Sequence, residues 1–357
     1  MRILFVLGSK QAGGAENQAL ELIKWLQSTF DLHVILLGDD GPFVDLVKRE
    51  SLYILNSSRG LLSDIRMVVK SLSRVKPDVV ITWLYRADVL GTVFAHYYGV
   101  KTIIASARNT NWPNTSWWKR WVLKNVVNRF CNLVIANSET AKEFHAQLGY
   151  EESKIRVIPN FLRVEVCSLT TKKISIQKPL VLGIASRSVV GKGHLEVLSG
   201  LRFLIDKGED VRVSFIGPGI PSWNLLINTV KRLNLETYVK LEPYNPNLEK
   251  WIHSIDAYVF ASDAWESDSN MYTECIVHGV PVLATIRNPS NTHTRPLIQF
   301  DSGQVDGLFE AVKTLTGLRE SEISSWIRDQ LDAEEEHRNP EKLIRMWRES
   351  IQNSNLC

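Results

Sequence analysis

The sequence predicts an α/β protein with two doubly wound domains, each a parallel sheet covered by helices on both faces. Short apolar runs of strand length alternate with segments of helical periodicity along most of the chain. The alternation is interrupted by a polar, aperiodic stretch over 163–179 that is typical of a linker. The length of 357 residues also fits two domains of ordinary size. We therefore expect one domain over 1–160 and another over 161–338.

The first half begins with a buried strand over 2–8, a turn that contains Gly13 and Gly14, and a helix over 15–30. This order is the usual opening of a doubly wound domain. The turn lacks the Gly-x-Gly-x-x-Gly fingerprint, which disfavours a dehydrogenase that binds a nicotinamide cofactor. Further strands are predicted at 32–37, 53–55, 79–83, 102–106, 133–136 and 155–158, with helices at 61–76, 87–98, 117–130 and 139–148.

The second half repeats the alternation. Strands are predicted at 180–185, 211–216, 238–241, 257–261 and 280–285. Helices are predicted up to 206 and at 223–233, 248–254, 270–278, 304–315, 321–331 and 339–352. The acidic stretch over 332–336 is expected to be a solvated face.

The composition is that of a soluble globular protein, with 44% apolar and 23% charged residues. The net charge of +3 is uneven: residues 1–160 hold 20 Lys and Arg against 14 Asp and Glu, a net +6, and residues 161–357 hold 22 against 25, a net −3. The basic half suggests an anionic partner. The excess is too small to predict a nucleic-acid partner, and no nucleic-acid-binding motif appears.

The cysteines and the apolar runs bear on the compartment. Cys131, Cys167, Cys275 and Cys357 are widely spaced with no Cys-x-x-Cys pair, which fits a reducing compartment and predicts no zinc site. No Asp-x-Asp motif stands out, so we expect neither a metal nor a cofactor. The apolar start is too short for a signal peptide, and no run approaches the ~18 apolar residues of a membrane span. We expect a cytoplasmic protein.

Two glutamates follow one of the predicted strands of the second half. Glu266 lies in the loop after that strand, and Glu274 lies on the next helix, which begins near Asn270. In a parallel sheet this loop falls at the carboxyl ends of the strands, where ligands bind. The first N–H groups of the helix would form a ready site for a phosphate. A carboxylate also accepts two hydroxyl hydrogen bonds at once, as a sugar offers them.

The spacing of Glu266 and Glu274, followed by Gly-Val-Pro-Val, resembles the Glu-x7-Glu signature of retaining glycosyltransferases of family 4, which have the GT-B fold. Other motifs of that family stand in the expected order along residues 1–315: Gly13-Gly14-Ala15-Glu16, Pro159-Asn160, Arg187 with Lys192-Gly193, and Gly217-Pro218-Gly219. The resemblance implies two Rossmann-like domains that face a cleft, with the last helix, in 339–357, joined to the first domain.

The resemblance also implies roles for single residues. Glu274 would hold the ribose of the nucleotide, and Glu266 would lie by the donor sugar. Arg187 and Lys192 would neutralise the leaving diphosphate, which the turn glycines would let the backbone approach. We assign catalysis to Glu266, Arg187 and Lys192. The predicted donor-binding residues are Gly13, Gly14, Arg187, Lys192, Glu266, Ser269, Asn270, Met271 and Glu274.

Two departures from the family pattern bear on the site. Many members have a histidine near the donor sugar where this chain has Arg108 and Asn109, so no catalytic histidine is assigned. Arg108 is expected to contact an anionic acceptor or the diphosphate, with a surface salt bridge as the alternative. After Glu266 the common Gly-aromatic-Gly is replaced by Ser-Asp-Ser, so Asp268 adds a negative charge whose role stays open.

The segment 117–124, Trp-Trp-Lys-Arg-Trp-Val-Leu-Lys, combines tryptophans with basic residues. This combination suits a membrane interface, where aromatic rings lie at headgroup level and cations meet anionic lipid. The alternative is a helix with its tryptophans in the core and a solvated basic face. The residues assigned to the acceptor or to a membrane surface are Arg108, Asn109, Trp117, Trp118, Lys119 and Arg120.

The sequence thus predicts a retaining glycosyltransferase that moves a hexose-type sugar from a nucleoside-diphosphate donor to a lipid-linked glycan acceptor in capsule or lipopolysaccharide synthesis. The leaving phosphate is expected to take the acceptor's proton, so no protein base is required. The protein is expected in the cytoplasm, peripheral to the inner face of the membrane. The alternatives are a nucleotide-sugar epimerase of related fold, which would need acids in the first domain, and a non-catalytic partner subunit.

Overall fold

The computed structural model describes residues 1–11, 13–41, 43–49, 54–56, 60–108, 116–162, 178–245, 247–262, 266–287 and 293–353. The chain divides into two compact units. Unit 1 consists of Met1–Phe161 with Arg338–Cys357, and unit 2 of Leu162–His337. The predicted site residue Asn109 and residues 163–177 of the predicted linker lie outside the described residues.

Unit 1 contains a seven-stranded parallel sheet with the strand order β3-β2-β1-β4-β5-β6-β7. Its strands are β1 Arg2–Leu7, β2 Asp31–Leu36, β3 Ile54–Asn56, β4 Val79–Trp83, β5 Thr102–Ala107, β6 Leu133–Ala136 and β7 Ile155–Val157. Alternate residues of β1 enter different apolar clusters, with Ile3 and Phe5 on one face and Leu4 and Val6 on the other. Both faces are therefore buried, which is why the strands read as continuous apolar runs.

The helices of unit 1 agree with most of the predicted ones. They are α1 Gly14–Leu26, α2 Phe43–Arg49, α3 Leu61–Val75, α4 Tyr85–Tyr97, α5 Trp117–Val122, α6 Asn128–Phe130 and α7 Glu139–Gln147, with a short 3₁₀ turn at Glu152–Lys154. The helix predicted over 117–130 is divided by a π-helical turn at Leu123–Val127. Helix α2 was not predicted, because its seven residues are too few for a helical period to stand out.

Unit 2 contains a six-stranded parallel sheet with the order β10-β9-β8-β11-β12-β13. Its strands are β8 Leu180–Ala185, β9 Val211–Gly217, β10 Val239–Pro243, β11 Ala257–Phe260, β12 Val282–Thr285 and β13 Ile298–Phe300. Its helices are α8 His194–Asp206, α9 Asn224–Arg232, α10 Glu249–Ile252, α11 Asn270–Val277, α12 Gly307–Gly317 and α13 Glu320–His337, with a 3₁₀ turn at Ile220–Ser222. Strand β13 was not predicted, because its three residues carry no clear pattern.

Helix α13 corrects one expectation. The predicted helix over 321–331 continues to His337, so the acidic stretch over 332–336 is helical. The expectation that this stretch is a solvated face is wrong for Glu334, which is 0% exposed, although Glu335 and Glu336 are exposed. The Glu334 carboxylate is buried because the hydroxyls of Thr273 and Thr294 donate to it from neighbouring segments of unit 2.

The last helix, α14 at Pro340–Asn353, packs in unit 1. Its buried residues Leu343, Ile344, Trp347 and Ile351 have the spacing of one helical face. They belong to the apolar cluster that also contains one face of β1. The Trp347 ring stacks on the Trp83 ring with 6.2 Å between centroids. Unit 1 is therefore completed by the C-terminal end of the chain.

Candidate active site

The sheet of unit 2 has a topological switch point between β8 and β11. From β8 the chain proceeds through β9 to β10 on one side, and β11 then lies on the other side of β8. Ligands of open parallel sheets bind at such a point, outside the carboxyl ends of the strands. The loop after β8 contains Arg187 and Lys192, and the loop after β11 contains Glu266. Sequence positions far apart are therefore brought to one edge of this sheet.

The two loops are held together by close backbone packing. Gly193 has a φ of +79°, and a Cβ at this position would collide with the Cβ and carbonyl of Ala261, at the end of β11. The Ser262 hydroxyl also donates to the Gly191 carbonyl at 3.4 Å. Only glycine tolerates both this backbone conformation and this approach. The Gly that follows Lys192 is therefore explained by packing of the loop after β8 onto β11.

Lys192 and Glu266 form an ion pair through Nζ and Oε1. The Lys192 side chain is 6% exposed and that of Glu266 is 29% exposed. A buried ammonium needs a counter-charge, since removing it from water is costly. The predicted catalytic residues Lys192 and Glu266 thus form one charged pair at the switch point.

His194 opens α8 beside this pair. Its Nε2 lies 2.9 Å from the Ser186 hydroxyl. Burial, together with the charge of Lys192, lowers the pKa of His194 to about 4. The imidazole is therefore neutral at neutral pH, and the positive charge of this loop resides on its lysine and arginine.

Helix α11 carries the second glutamate. The Ser269 hydroxyl accepts the N–H of Tyr272 at 3.4 Å and so caps the helix, which begins at Asn270. Met271 and Glu274 are half-buried. Burial, followed by the charges of Cys275, Glu266 and Glu274, raises the pKa of the Tyr258 hydroxyl. Both glutamates therefore lie within electrostatic reach of one residue of β11.

Arg187 is placed differently from the other predicted residues of unit 2. It follows β8 and its side chain is exposed. Within the described part of the chain it forms no ion pair with Glu266. The Arg187 guanidinium therefore follows the carboxyl end of β8, as predicted, but Glu266 does not hold it in place.

The corresponding edge of unit 1 carries the turn glycines. Gly13 is the N-cap of α1 in an extended conformation, and Gly14 begins the helix. A Cβ at Gly13 would lie 2.6 Å from the Glu16 carboxylate. The Trp83 indole N–H, at the end of β4, donates to the Ala15 carbonyl at 2.8 Å. The first turn of α1 is thus fixed at the switch point between β1 and β4.

Arg108 lies at the same edge of unit 1 and is half-buried. Its guanidinium stacks over the Trp83 ring at 3.9 Å from the centroid. Its Nη1 donates to Oδ1 of Asn160 at 2.9 Å, the asparagine of the Pro-Asn motif. The Trp83 ring and the Asn160 side chain therefore hold the Arg108 guanidinium in one orientation.

A small polar cavity of about 30 Å³, room for about one water, lies behind Arg108. Its polar lining includes Asp88, whose carboxylate accepts the Thr82 hydroxyl at 2.7 Å. Burial raises the pKa of Asp88 to about 7, although Thr82, the Ser106 backbone and the charge of Arg108 act in the opposite direction. Sequence reasoning gave this acid no role, and only its place in the first turn of α4 could have indicated one.

The tryptophans of α5 are on the surface of unit 1. Trp117 is 79% exposed, Trp118 is 48% exposed and Trp121 is 56% exposed. The alternative with these tryptophans in the core is therefore wrong, because Leu123 and Val127 of the π-helical turn are the buried residues here. Lys119 and Arg120 lie among the rings, and we call these five residues of α5 the tryptophan face.

No group of three or more His, Cys, Asp or Glu side chains in the ranges given above is arranged to hold a metal ion. No helix in the described part of the chain combines the length and apolar character needed to cross a membrane.

Comparison with known proteins identifies the class. Residues 12–166 match the family model of Glycosyltransferase Family 4. The N-acetylgalactosamine-N,N'-diacetylbacillosaminyl-diphospho-undecaprenol 4-alpha-N-acetylgalactosaminyltransferase of Campylobacter jejuni is 24% identical over 302 residues, 79% of each chain. The capsular polysaccharide biosynthesis glycosyltransferase CapM of Staphylococcus aureus is 23% identical over 288 residues, 72% of each chain.

Solved structures show the same fold. Anabaena HepE in complex with UDP-glucose has a TM-score of 0.86 at 20% identity, covering 99% of this chain and 100% of that one. The chain therefore has the GT-B fold. The family match and the curated relatives identify it as an enzyme of the glycosyltransferase type. The resemblance to family 4 is confirmed by the family match in unit 1, and the predicted pair of Rossmann-like domains is confirmed by the two parallel sheets and the structural likeness.

Proposed function

We propose that the protein is a retaining glycosyltransferase that transfers a sugar from a nucleoside diphosphate to a lipid-linked glycan in surface polysaccharide synthesis. The observation that carries the proposal is the Lys192–Glu266 pair at the switch point of unit 2. A buried lysine beside a strand end is suited to an anionic ligand, and the adjacent carboxylate is suited to sugar hydroxyls.

The donor site uses charges already arranged in unit 2. When a diphosphate binds, its oxygens compete with Glu266 for Lys192, and the released carboxylate accepts hydroxyls of the sugar. The N–H groups at the start of α11 and the exposed Arg187 add further positive potential. Glu274, one turn along α11, accepts the ribose hydroxyls. We keep Gly13 and Gly14 as predicted donor contacts. We expect no metal, because Lys192, Arg187 and the start of α11 supply the charge that neutralises the diphosphate.

The reaction then needs no protein base. The bond between the anomeric carbon and the leaving phosphate oxygen breaks while the acceptor hydroxyl oxygen bonds to the same face of the sugar. The acceptor's proton passes to the departing phosphate oxygen. Lys192, Arg187 and α11 stabilise the negative charge that develops on the diphosphate, and configuration is retained.

The acceptor is assigned to unit 1. The relative from Campylobacter jejuni acts, by its name, on a sugar linked through diphosphate to undecaprenol. Arg108 offers a cation oriented by Trp83 and Asn160, which fits a diphosphate in such an acceptor. The tryptophan face of α5 fits an anionic bilayer surface, from which a lipid-linked substrate would be taken.

The donor site is tested by calorimetric titration with UDP and UDP-sugars, followed by mass spectrometry of products. UDP is the first probe because it is bound in the HepE structures. We expect Lys192→Ala and Glu274→Ala each to reduce turnover at least ~100-fold, the scale of losing one contact to developing charge. The matched control is Lys231→Ala, an exposed lysine of the same unit.

Near-normal turnover in both variants would remove the proposed site. Nucleotide release from a UDP-sugar without any acceptor would indicate the epimerase considered above. Tight UDP binding without transfer to any lipid-linked acceptor would favour the non-catalytic subunit.

A further inference from the structure

A buried polar cluster lies against α11 on the side of α13. Its centre is the fully buried carboxylate of Glu334. Glu334 Oε1 accepts the Thr273 hydroxyl at 3.3 Å and the Thr294 hydroxyl at 3.4 Å. His293 Nε2 lies 3.4 Å from the same oxygen. One carboxylate oxygen thus joins α11, α13 and the segment before β13.

Two histidine rings complete the cluster. The rings of His293 and His337 stack with 3.8 Å between centroids and 22° between planes. A buried carboxylate is costly unless a charge or several donors compensate it. The Thr273 and Thr294 hydroxyls are two such donors to Glu334, and the His293 ring lies against the same oxygen.

The cluster holds α11 at Thr273, whose hydroxyl donates to Glu334. The preceding residue, Tyr272, is 2% exposed. The residue after Thr273 along the helix is Glu274. An isolated helix of eight residues is marginal in water, so tertiary contacts determine where α11 lies.

We propose that the buried Glu334 is a positioning residue that fixes α11 for the donor nucleotide through its hydrogen bond with Thr273. The proposal rests on the proposed function for the role of α11, but it concerns residues that do not themselves touch the donor. A buried carboxylate specifies the position of α11 more narrowly than an apolar side chain would, because it is stabilised only when α11, α13 and His293 are all in place.

The test is UDP calorimetry on the full chain, with Glu334→Gln, Thr273→Val and the double variant. Glutamine keeps the size and the acceptor oxygen but removes the charge, and valine keeps the shape of Thr273. We expect Glu334→Gln to weaken UDP binding about tenfold relative to wild type, the scale of a small misplacement of binding groups.

The double variant should bind UDP about as weakly as Glu334→Gln alone, because both changes act on one contact. The matched control is Glu335→Gln, the exposed neighbour on α13, which should bind UDP within twofold of wild type. A Glu334→Gln affinity within twofold of wild type, or fully additive effects of the two changes, would each overturn the inference.

A second measurement separates this inference from the donor assignment. Amide hydrogen exchange over 270–278 should be at least about fivefold faster in Glu334→Gln than in wild type, with or without nucleotide. If wild type does not bind UDP, the donor assignment fails while the exchange result still decides whether Glu334 positions α11. Unchanged exchange would refute the positioning role even if UDP binds.

Discussion

At the scale of single residues, the fold of unit 1 controls the charge of Asp88. The side chain is buried behind Arg108, and burial raises its pKa to about 7 from the model-compound value of 3.8. The native state therefore binds a proton that the unfolded state has released between about pH 4 and 7. The stabilising effect is complete below about pH 4 and is lost as pH rises through 7.

The direction of this pH dependence of stability can be tested with Asp88→Asn. Asparagine keeps the oxygen that accepts the Thr82 hydroxyl and removes the cost of a buried charge. Relative to wild type, the variant should gain stability as pH rises, by about 2 kcal/mol more at pH 8 than at pH 5. Urea unfolding at the two pH values measures the difference, and Asp39→Asn, an exposed carboxylate of the same unit, should show no such trend. A gain independent of pH would contradict the assigned ionisation.

Residue identity alone does not reveal such roles. Glu334, Glu335 and Glu336 are the same amino acid in one run, and only the first is buried. Its burial depends on Thr273 and on the His293 segment, which are about 61 and 41 positions away in the chain. The pairing of Lys192 with Glu266 is of the same kind, because it needs β8 and β11 to be neighbours. The motifs predicted which residues matter, but not which of them touch.

At the scale of elements, α5 is a short helix anchored on one side and exposed on the other. The π-helical turn after it buries Leu123 and Val127, so the helix is held while its tryptophans remain in solvent. Exposed clusters of large aromatic rings on a soluble surface mark interaction sites. The basic residues among them favour an anionic lipid surface as the partner.

We expect the wild-type protein to sediment with vesicles that contain phosphatidylglycerol. The combined change Trp117→Ser, Trp118→Ser and Trp121→Ser should lower the bound fraction at least about tenfold, because the interfacial anchors are removed. Trp25→Ser, at an exposed tryptophan on α1, is the matched control and should bind as wild type does. The membrane proposal is abandoned if wild type does not sediment or if the triple variant sediments equally.

Elements were predictable where packing imposes a simple pattern. Most strands longer than three residues are buried on both faces and stand out as apolar runs between polar loops. The edge strand β10 is an exception, because its residues are half-buried or exposed and its sequence alternates apolar and charged residues. The short elements, α2 and β13, were missed because neighbours rather than their own pattern stabilise them. The π-helical turn was likewise invisible, since its residues have ordinary helical spacing.

At the scale of the whole molecule, each unit has its own core. Trp347 of α14 is 1% exposed in unit 1, and Trp251 of α10 is 6% exposed in unit 2, where its indole N–H donates to Ser214. Truncating a buried tryptophan to alanine typically costs about 3–5 kcal/mol, and the cost falls on the core that loses it.

Trp347→Ala should therefore reduce amide protection in the strands of unit 1 while those of unit 2 keep theirs, and Trp251→Ala should do the reverse. Hydrogen exchange read by mass spectrometry distinguishes the two patterns. Equal loss of protection in both sheets from either change would mean that the units do not open separately. The same two variants also compare two helices. They show how much α14, which is distant in sequence from the rest of unit 1, stabilises its unit, and how much α10, which lies within the continuous segment of unit 2, stabilises its own.

The position of α14 has a consequence for synthesis. A ribosome makes the chain from the N-terminus, so the first 161 residues emerge long before Leu343, Trp347 and Ile351, which complete their core. Unit 2 lies between these two parts of unit 1 in sequence, so it also precedes α14 out of the ribosome. Until α14 has emerged, part of one apolar face of the first sheet lacks its cover.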